Sequence, residues 1–464
     1  MLSFLDKSHS IAPSNYNRWL VPPAALAIHL CIGEVYGFSV FTKPLTQLVG
    51  VTAPTAGDWS VASVGWIFSI AIVVLGVSAA IFGKWVEERG PRLAMFAAAC
   101  LFGLGFVVAS FGASAHQLWL IYFGYGVIGG CGLGIGYISP VSTLIKWFPD
   151  RPGLATGTAI MGFGGGALIG GPLAVALMKH FSGPASTGVA PTFLTMGVLY
   201  FCFMLIGAFI VRLPATGWAP ASYVPPVAGA RKLVTTQNVL VGDAVKTPQF
   251  YLLWVVLCMN VTAGIGVLGQ ASLMIQEMFP SHFPHDTDAA IKASAAAAAG
   301  FVSLLSIFNM LGRIFWASSS DYLGRKNTYT IFFLLGIVLY ALVPTLGRSG
   351  NLALFVVAFL IILTMYGGGF ATIPAYLRDV FGTQHVGAIH GRLLTAWSAA
   401  GVLGPVLINY IRQYQIDHGV AKADAYSVTM YVMCGLLAVG FICNALMKPV
   451  EERHHALVAE ASTV

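Results

Sequence analysis

The chain has 464 residues, of which 57% are hydrophobic and 9% charged, with a formal net charge of +7. A soluble domain carries about 25% charged residues, so 24 Lys/Arg and 17 Asp/Glu cannot give a chain of this length a water-soluble surface. Composition thus excludes a soluble enzyme and gives no sign of a nucleic-acid patch; it predicts an all-α membrane protein.

The first nineteen residues are polar, without the short apolar core and small-residue cleavage site of a removable signal. Apolar stretches long enough to cross a bilayer follow at 20–41, 59–82, 93–113, 117–145, 153–178 and 192–211. A polar stretch at 212–248 contains Pro214, Pro220, Pro225, Pro226 and Arg231–Lys232. Six further apolar stretches lie at 250–275, 295–319, 329–347, 351–376, 391–411 and 426–447. The expected plan is a six-helix half at 1–211, a linker at 212–248 and a second six-helix half at 249–464. All seven cysteines fall inside the spans with no metal-ligand spacing, so neither disulfide, metal nor cofactor is expected. The cluster "HFPHDTD", with His282, His285, Asp286 and Asp288, reads as a solvated loop.

Basic residues orient the chain. Seventeen Lys/Arg flank the spans on the side of the termini and six on the other side, with Arg313 inside a span. The positive-inside rule then predicts a multi-pass protein with both termini cytoplasmic, in the plasma (inner) membrane of a bacterium.

The two halves share a loop. Between spans 2 and 3 the chain reads "GKWVEERGPR", and between spans 8 and 9 "ASSSDYLGRK". Glu87, Gly90 and Arg92 align with Asp321, Gly324 and Lys326, with Arg325 an additional base in the later copy, and the acids lie 234 residues apart. An acid at a helix end beside a turn-forming glycine suits a latch that caps a helix N-terminus in one conformation and releases it in another. Helix number, linker and paired loops resemble the major facilitator superfamily, although Glu87 stands for that family's usual aspartate and Ala317 for its glycine.

Arg313 is the outstanding residue. An ionised side chain at mid-bilayer costs roughly 2.5–3.5 kcal/mol even on lenient scales, and Arg313 lies eight residues, about 12 Å of helix rise, from Asp321. Ser306, Asn309, Arg313 and Ser320 fall on one helical face, which predicts a polar stripe lining a watered cavity opposite Leu304, Ile307, Met310, Leu311, Ile314 and Phe315. A guanidinium there suits a carboxylate, gripped by two parallel hydrogen bonds; pairing with a neighbouring acid is the alternative.

Four segments resemble the oxalate:formate antiporter family, akin to the monocarboxylate transporters: "NRWLVPPAALAIHLCIGEVYGFSVF", "GLGIGYISPVSTLIKWFPDRPGLATG", "FNMLGRIFWASSSDYLGRK" and "YGGGFATIPAYLRDVFGTQHVGAIHGRLLTAWSAAG". In that family an arginine of helix 8 and a lysine of helix 11 hold oxalate inside an aromatic cage. The resemblance carries the arginine onto Arg313 and the cage onto Tyr36, Tyr137, Phe163 (a tyrosine in the family), Tyr366 and Phe370. The lysine position holds Trp397. Related lactate carriers place an asparagine one turn before the arginine, where Asn309 stands.

With one fixed cation, a bound dianion keeps an unpaired buried charge, costing several kcal/mol, so a small monocarboxylate such as lactate, pyruvate or formate is expected. The partners are that anion, a proton or counter-anion and the bilayer, with a monomer expected. His29, two turns before Tyr36, and Glu34, turned toward a neighbouring helix, are the candidates for carrying a proton. His390 and Arg392 read as gate or loop residues at the start of span 11. The run "GFGGGALIGGPL" lacks the Lys-Ser/Thr of a phosphate loop and reads as close helix packing. The alternatives are an oxalate/formate-type exchanger and a non-transporting carboxylate sensor.

Overall fold

A computed structural model describes residues 3–13, 15–51, 53, 55–221, 223, 233–283 and 288–456. Pro225, Pro226, Arg231 and Lys232 of the linker, and His285 and Asp286 of the cluster, lie outside the described residues, as do the side chains of Asp288 and Lys292. The architecture is all-helical, with twelve helices long and apolar enough to cross a membrane among the described residues. They are α1 (Arg18–Leu45), α2 (Val61–Arg89), α3 (Pro91–Ser114), α4 (Leu118–Trp147), α5 (Pro152–Phe181) and α6 (Val189–Ile210) before the linker. After it come α7 (Pro248–Met278), α8 (Asp288–Leu323), α9 (Arg325–Arg348), α10 (Leu352–Phe381), α11 (Val386–Asp417) and α12 (Ser427–Ala445). Twelve crossings put both termini and the linker on one face, here called the terminal face.

Helix ends follow local chemistry. Ser60 caps α2 by accepting the Ser63 backbone N–H at 3.1 Å, and Thr247 caps α7 by accepting from Phe250 at 3.3 Å. The two copies of the repeated loop turn alike: Gly90 (φ +88°) separates α2 from α3 and Gly324 (φ +84°) separates α8 from α9. Side chains rarely tolerate that left-handed backbone, which is why both copies carry glycine there.

Two helices depart from the α form. In α1 an α-helical Val21–Ile32 is followed by a nine-residue 3₁₀ stretch, Gly33–Phe41, and α4 contains a π-helical Tyr122–Gly129. Runs of 3₁₀ beyond three or four residues are uncommon, and π turns frequent functional sites.

The halves meet along two related seams, α2 against α11 and α5 against α8. Lipid-facing side chains cluster on α3, α6, α9 and α12, where Phe111, Phe203, Ile206, Val338 and Ile442 are exposed. An apolar outer surface is what a bilayer requires of a helix whose backbone bonds are all internal.

Candidate functional site

Arg313 lies in α8 and is fully buried. Its Nε donates to Asn309 Oδ1 at 3.2 Å, one turn back, and its Nη1 to the Ile160 carbonyl of α5, also at 3.2 Å. Nη2 has no hydrogen-bond partner, and no acid forms an ion pair with Arg313 among the described residues. The guanidinium lies 5.7 Å from the Phe163 ring centre and 5.3 Å from that of Phe370, within cation–π range. Two helices come close because they carry glycine: a Cβ at Gly367 of α10 would stand 2.3 Å from the Asn309 carbonyl oxygen, and one at Gly164 of α5 would stand 2.9 Å from Arg313 Nε. The expected glycine packing thus encloses the arginine.

The aromatic residues expected of a cage do meet here. Trp397 is the hub, with ring centres 4.4 Å from Phe370, 5.2 Å from Phe163 and 5.3 Å from Tyr137. Tyr36 stands edge-on to Phe163 at 5.1 Å, and its hydroxyl lies 2.9 Å from that of Tyr366 on the opposite half. Tyr137, Phe163, Tyr366, Phe370 and Trp397 are buried, while Tyr36 is half-buried. The Tyr137 hydroxyl and Trp397 Nε1 have no hydrogen-bond partner among the described residues. The assembly is an aromatic enclosure around the Arg313 guanidinium, with two polar groups in its wall that have no hydrogen-bond partner among the described residues.

Toward the terminal face the halves are latched. Asp321 accepts the backbone N–H groups of Gly153 and Leu154 at 2.9 and 3.0 Å, the start of α5 in the other half, where a helix N-terminus favours negative charge. Arg325 bonds Asp321 at 2.5 Å and also holds Asp379 and the Ser320 hydroxyl. In the related copy Glu87 accepts the Gly387 N–H at 3.1 Å and pairs with Lys146 of its own half. Arg92 Nη1 donates to the Phe4 carbonyl of the N-terminal segment, and the aligned Lys326 likewise donates to backbone carbonyls, those of Ala445 and Met447. Bonds between the halves also run from Thr156 to Ala371 and from Ser398 to Ile72 and Val73.

The profile of the Major Facilitator Superfamily matches residues 24–405, and again 289–463. The chain belongs to the Major Facilitator Superfamily. Among relatives, it is similar to the oxalate:formate antiporter of Oxalobacter formigenes, 28% identical across 84% of this chain and 83% of that one. It is 24% identical to human monocarboxylate transporter 11 across 85% of this chain and 77% of the other. In fold it resembles the E. coli fucose:proton symporter FucP, with a TM-score of 0.63, 11% identity, and coverage of 93% of this chain and 99% of that one. It is therefore an integral, multi-pass membrane protein related to transporters of small anions.

Within this superfamily fold the remaining sequence-predicted residues divide. His29 is buried against Tyr137 at 5.4 Å, with Nδ1 3.2 Å from the Ala25 carbonyl oxygen and Nε2 unpartnered. Glu34 points away, as expected, accepting from the Tyr125 hydroxyl at 3.1 Å beside Gly170 and Tyr200. The placement of His390 in a loop at the start of span 11 is corrected: α11 begins at Val386, five residues before the expected span, and His390 is buried with its ring 5.9 Å from Tyr137. Arg392, half-buried, also lies within α11 rather than in a loop. The stripe of α8 is likewise less uniform than its spacing implies. Ser306 donates to the Val302 carbonyl and Ser320 to that of Ala317, so these hydroxyls are satisfied within the helix. Met310, expected opposite, packs at the seam against Gly164 and Gly165, whereas Leu304, Leu311 and Phe315 are exposed outward.

Proposed function

We propose that this protein is a secondary active carrier, not an enzyme, that moves a small monocarboxylate such as lactate, pyruvate or formate by alternating access, together with a proton. The observation that carries this reading is Arg313: a fully buried guanidinium whose Nη2 has no hydrogen-bond partner and which has no acid partner among the described residues, set in an aromatic enclosure. An unpaired buried charge is strongly unfavourable, and an anionic substrate is what relieves it. Arg313 and Asn309 hold the carboxylate, while Tyr36, Tyr137, Phe163, Tyr366, Phe370 and Trp397 enclose its body. With Trp397 in the position of the family's second cation, one negative charge is matched and two are not.

The halves 1–211 and 249–464, joined by 212–248, rock about the α2–α11 and α5–α8 seams. Glu87, Arg92, Asp321 and Arg325 latch the terminal face, which the basic-residue bias makes cytoplasmic, in a bacterial inner membrane, with the protein acting as a monomer. His29 and Glu34 are the first candidates for the coupled proton. A second reading, exchange of one anion for another, is favoured by the 28% identity to an oxalate:formate antiporter.

The test is uptake into proteoliposomes with a panel of mono- and dicarboxylates, under an imposed pH gradient and, separately, against internal anion. Monocarboxylate uptake driven by an acidic exterior supports the proposal. Uptake that ignores the gradient and needs internal anion moves the assignment to exchange, and oxalate transported as readily as lactate overturns the substrate assignment.

A further inference from the structure

His29 and His390 come from different halves, α1 and α11, and both lodge against Tyr137 of α4, at ring distances of 5.4 and 5.9 Å. Each is buried. Among the described residues, Nε2 of His29, both ring nitrogens of His390 and the Tyr137 hydroxyl have no hydrogen-bond partner. Buried polar atoms are nearly always paired, so four unpaired atoms around one ring mark a place built to take up something polar. The same Tyr137 ring touches Phe163 and Trp397 of the cage.

We propose that His29 and His390 form a two-histidine site, across the seam between the halves, that binds the proton travelling with the substrate. This deepens the carrier reading above and rests on it. An imidazole nitrogen lone pair accepts the proton, and Tyr137 and the second imidazole share it by hydrogen bonds. One anion and one proton cross together, the proton entering from one aqueous face and leaving to the other, so no net charge moves and no co-reactant is consumed.

The coupling is electrostatic. Arg313 is the fixed cation whose field reaches His29. With no anion on Arg313, a proton on the pair adds a second positive charge to a buried region. With a carboxylate on Arg313 that charge is offset, so anion and proton each favour the other's binding, and the linkage is reciprocal. Other titratable and charged groups on the elements packed around His390 are engaged, apart from His385 and Arg392; Arg392 Nη1 has no hydrogen-bond partner among the described residues. Glu87 of α2 pairs with Lys146 of α4, Asp379 of α10 with Arg325 and Arg378, and Tyr366 of α10 bonds Tyr36. Lys84 of α2 pairs with Glu88 at the exposed surface, and His385 and Arg392 flank His390 on α11 itself. Glu34 has no comparable place, because it is bonded on the far side of α1, to Tyr125, away from the seam.

The test compares two fluxes in the same proteoliposomes: lactate uptake driven by an acidic exterior with no internal anion, and exchange of labelled for unlabelled lactate at equal pH. For His390→Gln and His29→Gln, the ratio of gradient-driven uptake to exchange is expected to fall at least tenfold, with the double variant no lower than the singles. A Glu34→Gln protein whose ratio falls tenfold while the histidine variants keep theirs places the proton on Glu34 and overturns the proposal. A His390→Gln protein that keeps its ratio within twofold overturns the proposal. So does one that loses both fluxes equally while present in the membrane at normal level, since that marks a packing role. Should a misfolded glutamine variant be the concern, His390→Asn, which holds less volume and cannot titrate, must give the same lowered ratio. Unaltered protein that exchanges lactate but ignores the gradient overturns the proton site and leaves the carrier standing. Protein that does neither overturns the carrier and the site together.

Discussion

Replacing Arg313 by lysine keeps the charge and removes the fork, and is therefore the sharpest test of the cage. In the structure the guanidinium spends Nε on Asn309 and Nη1 on the Ile160 carbonyl, both at 3.2 Å, and leaves Nη2 for a ligand. Lysine has one nitrogen on a flexible stem; it cannot bond both protein partners and still grip a carboxylate. A hydrogen bond to a charged group contributes about 1.5–3 kcal/mol, and losing the one from Nη2 to the bound anion should cost about that much. At 1.4 kcal/mol per factor of ten, substrate affinity should weaken roughly 10- to 150-fold. Titration of purified protein with lactate, followed by quenching of tryptophan fluorescence as the ligand meets Trp397, measures this directly. Arg313→Lys binding within threefold of the unaltered protein, with normal membrane insertion, would show that the carboxylate is held elsewhere.

Trp397→Lys restores a second cation beside Phe163 and Phe370 and should strengthen oxalate binding at least tenfold while weakening lactate; unchanged oxalate affinity rejects the argument from counting charges. Asp321→Asn retains the shape of the latch but loses its charge, so the closed terminal face should weaken by about 1–2 kcal/mol, speeding hydrogen exchange of the Gly153 and Leu154 amides roughly 5- to 30-fold. Asp58, in the loop between α1 and α2, gives a pH signature. Although partial desolvation raises its pKa, the backbone N–H groups of Val49, Thr55 and Gly50 and the Thr55 hydroxyl outweigh this and hold it down to about 2. A depressed carboxyl stabilises its loop fully above its unfolded pKa of about 4 and loses that contribution as pH falls through about 2. Pepsin should therefore spare the 46–60 segment near pH 4 and cut it below pH 2, and Asp58→Asn should be cut at both.

The spans were legible because twenty apolar residues in a row have few other fates, and the repeat because Gly90 and Gly324 must both turn through positive φ. Arg313 was legible because its cost in a bilayer demands a purpose, and the cage around it only through the resemblance to the oxalate:formate antiporter family. His390 was not. Its segment, "QHVGAIHGR", is polar enough to read as loop, and only the closeness of two helices shows otherwise. A Cβ at Gly391 would stand 2.2 Å from the Ala79 carbonyl oxygen, and one at Gly387 would stand 2.3 Å from Glu87. Small residues three before and one after a histidine were the available signal. The seam position of Met310 was equally hidden, because helical spacing assigns a residue to a face but does not say which faces meet lipid and which meet protein.

The nine-residue 3₁₀ stretch of α1 has a mechanical consequence. A 3₁₀ helix rises about 2.0 Å and turns about 120° per residue, an α-helix about 1.5 Å and 100°. Rewinding Gly33–Phe41 to α would shorten α1 by about 4.5 Å and swing Tyr36, three residues in, by roughly 60°. That swing is enough to take its hydroxyl off Tyr366, the bond that joins the halves across the cage. On the proposed carrier reading, such a rewinding would act as a screw thread, tying the pitch of one helix to the contact between the halves at the cage.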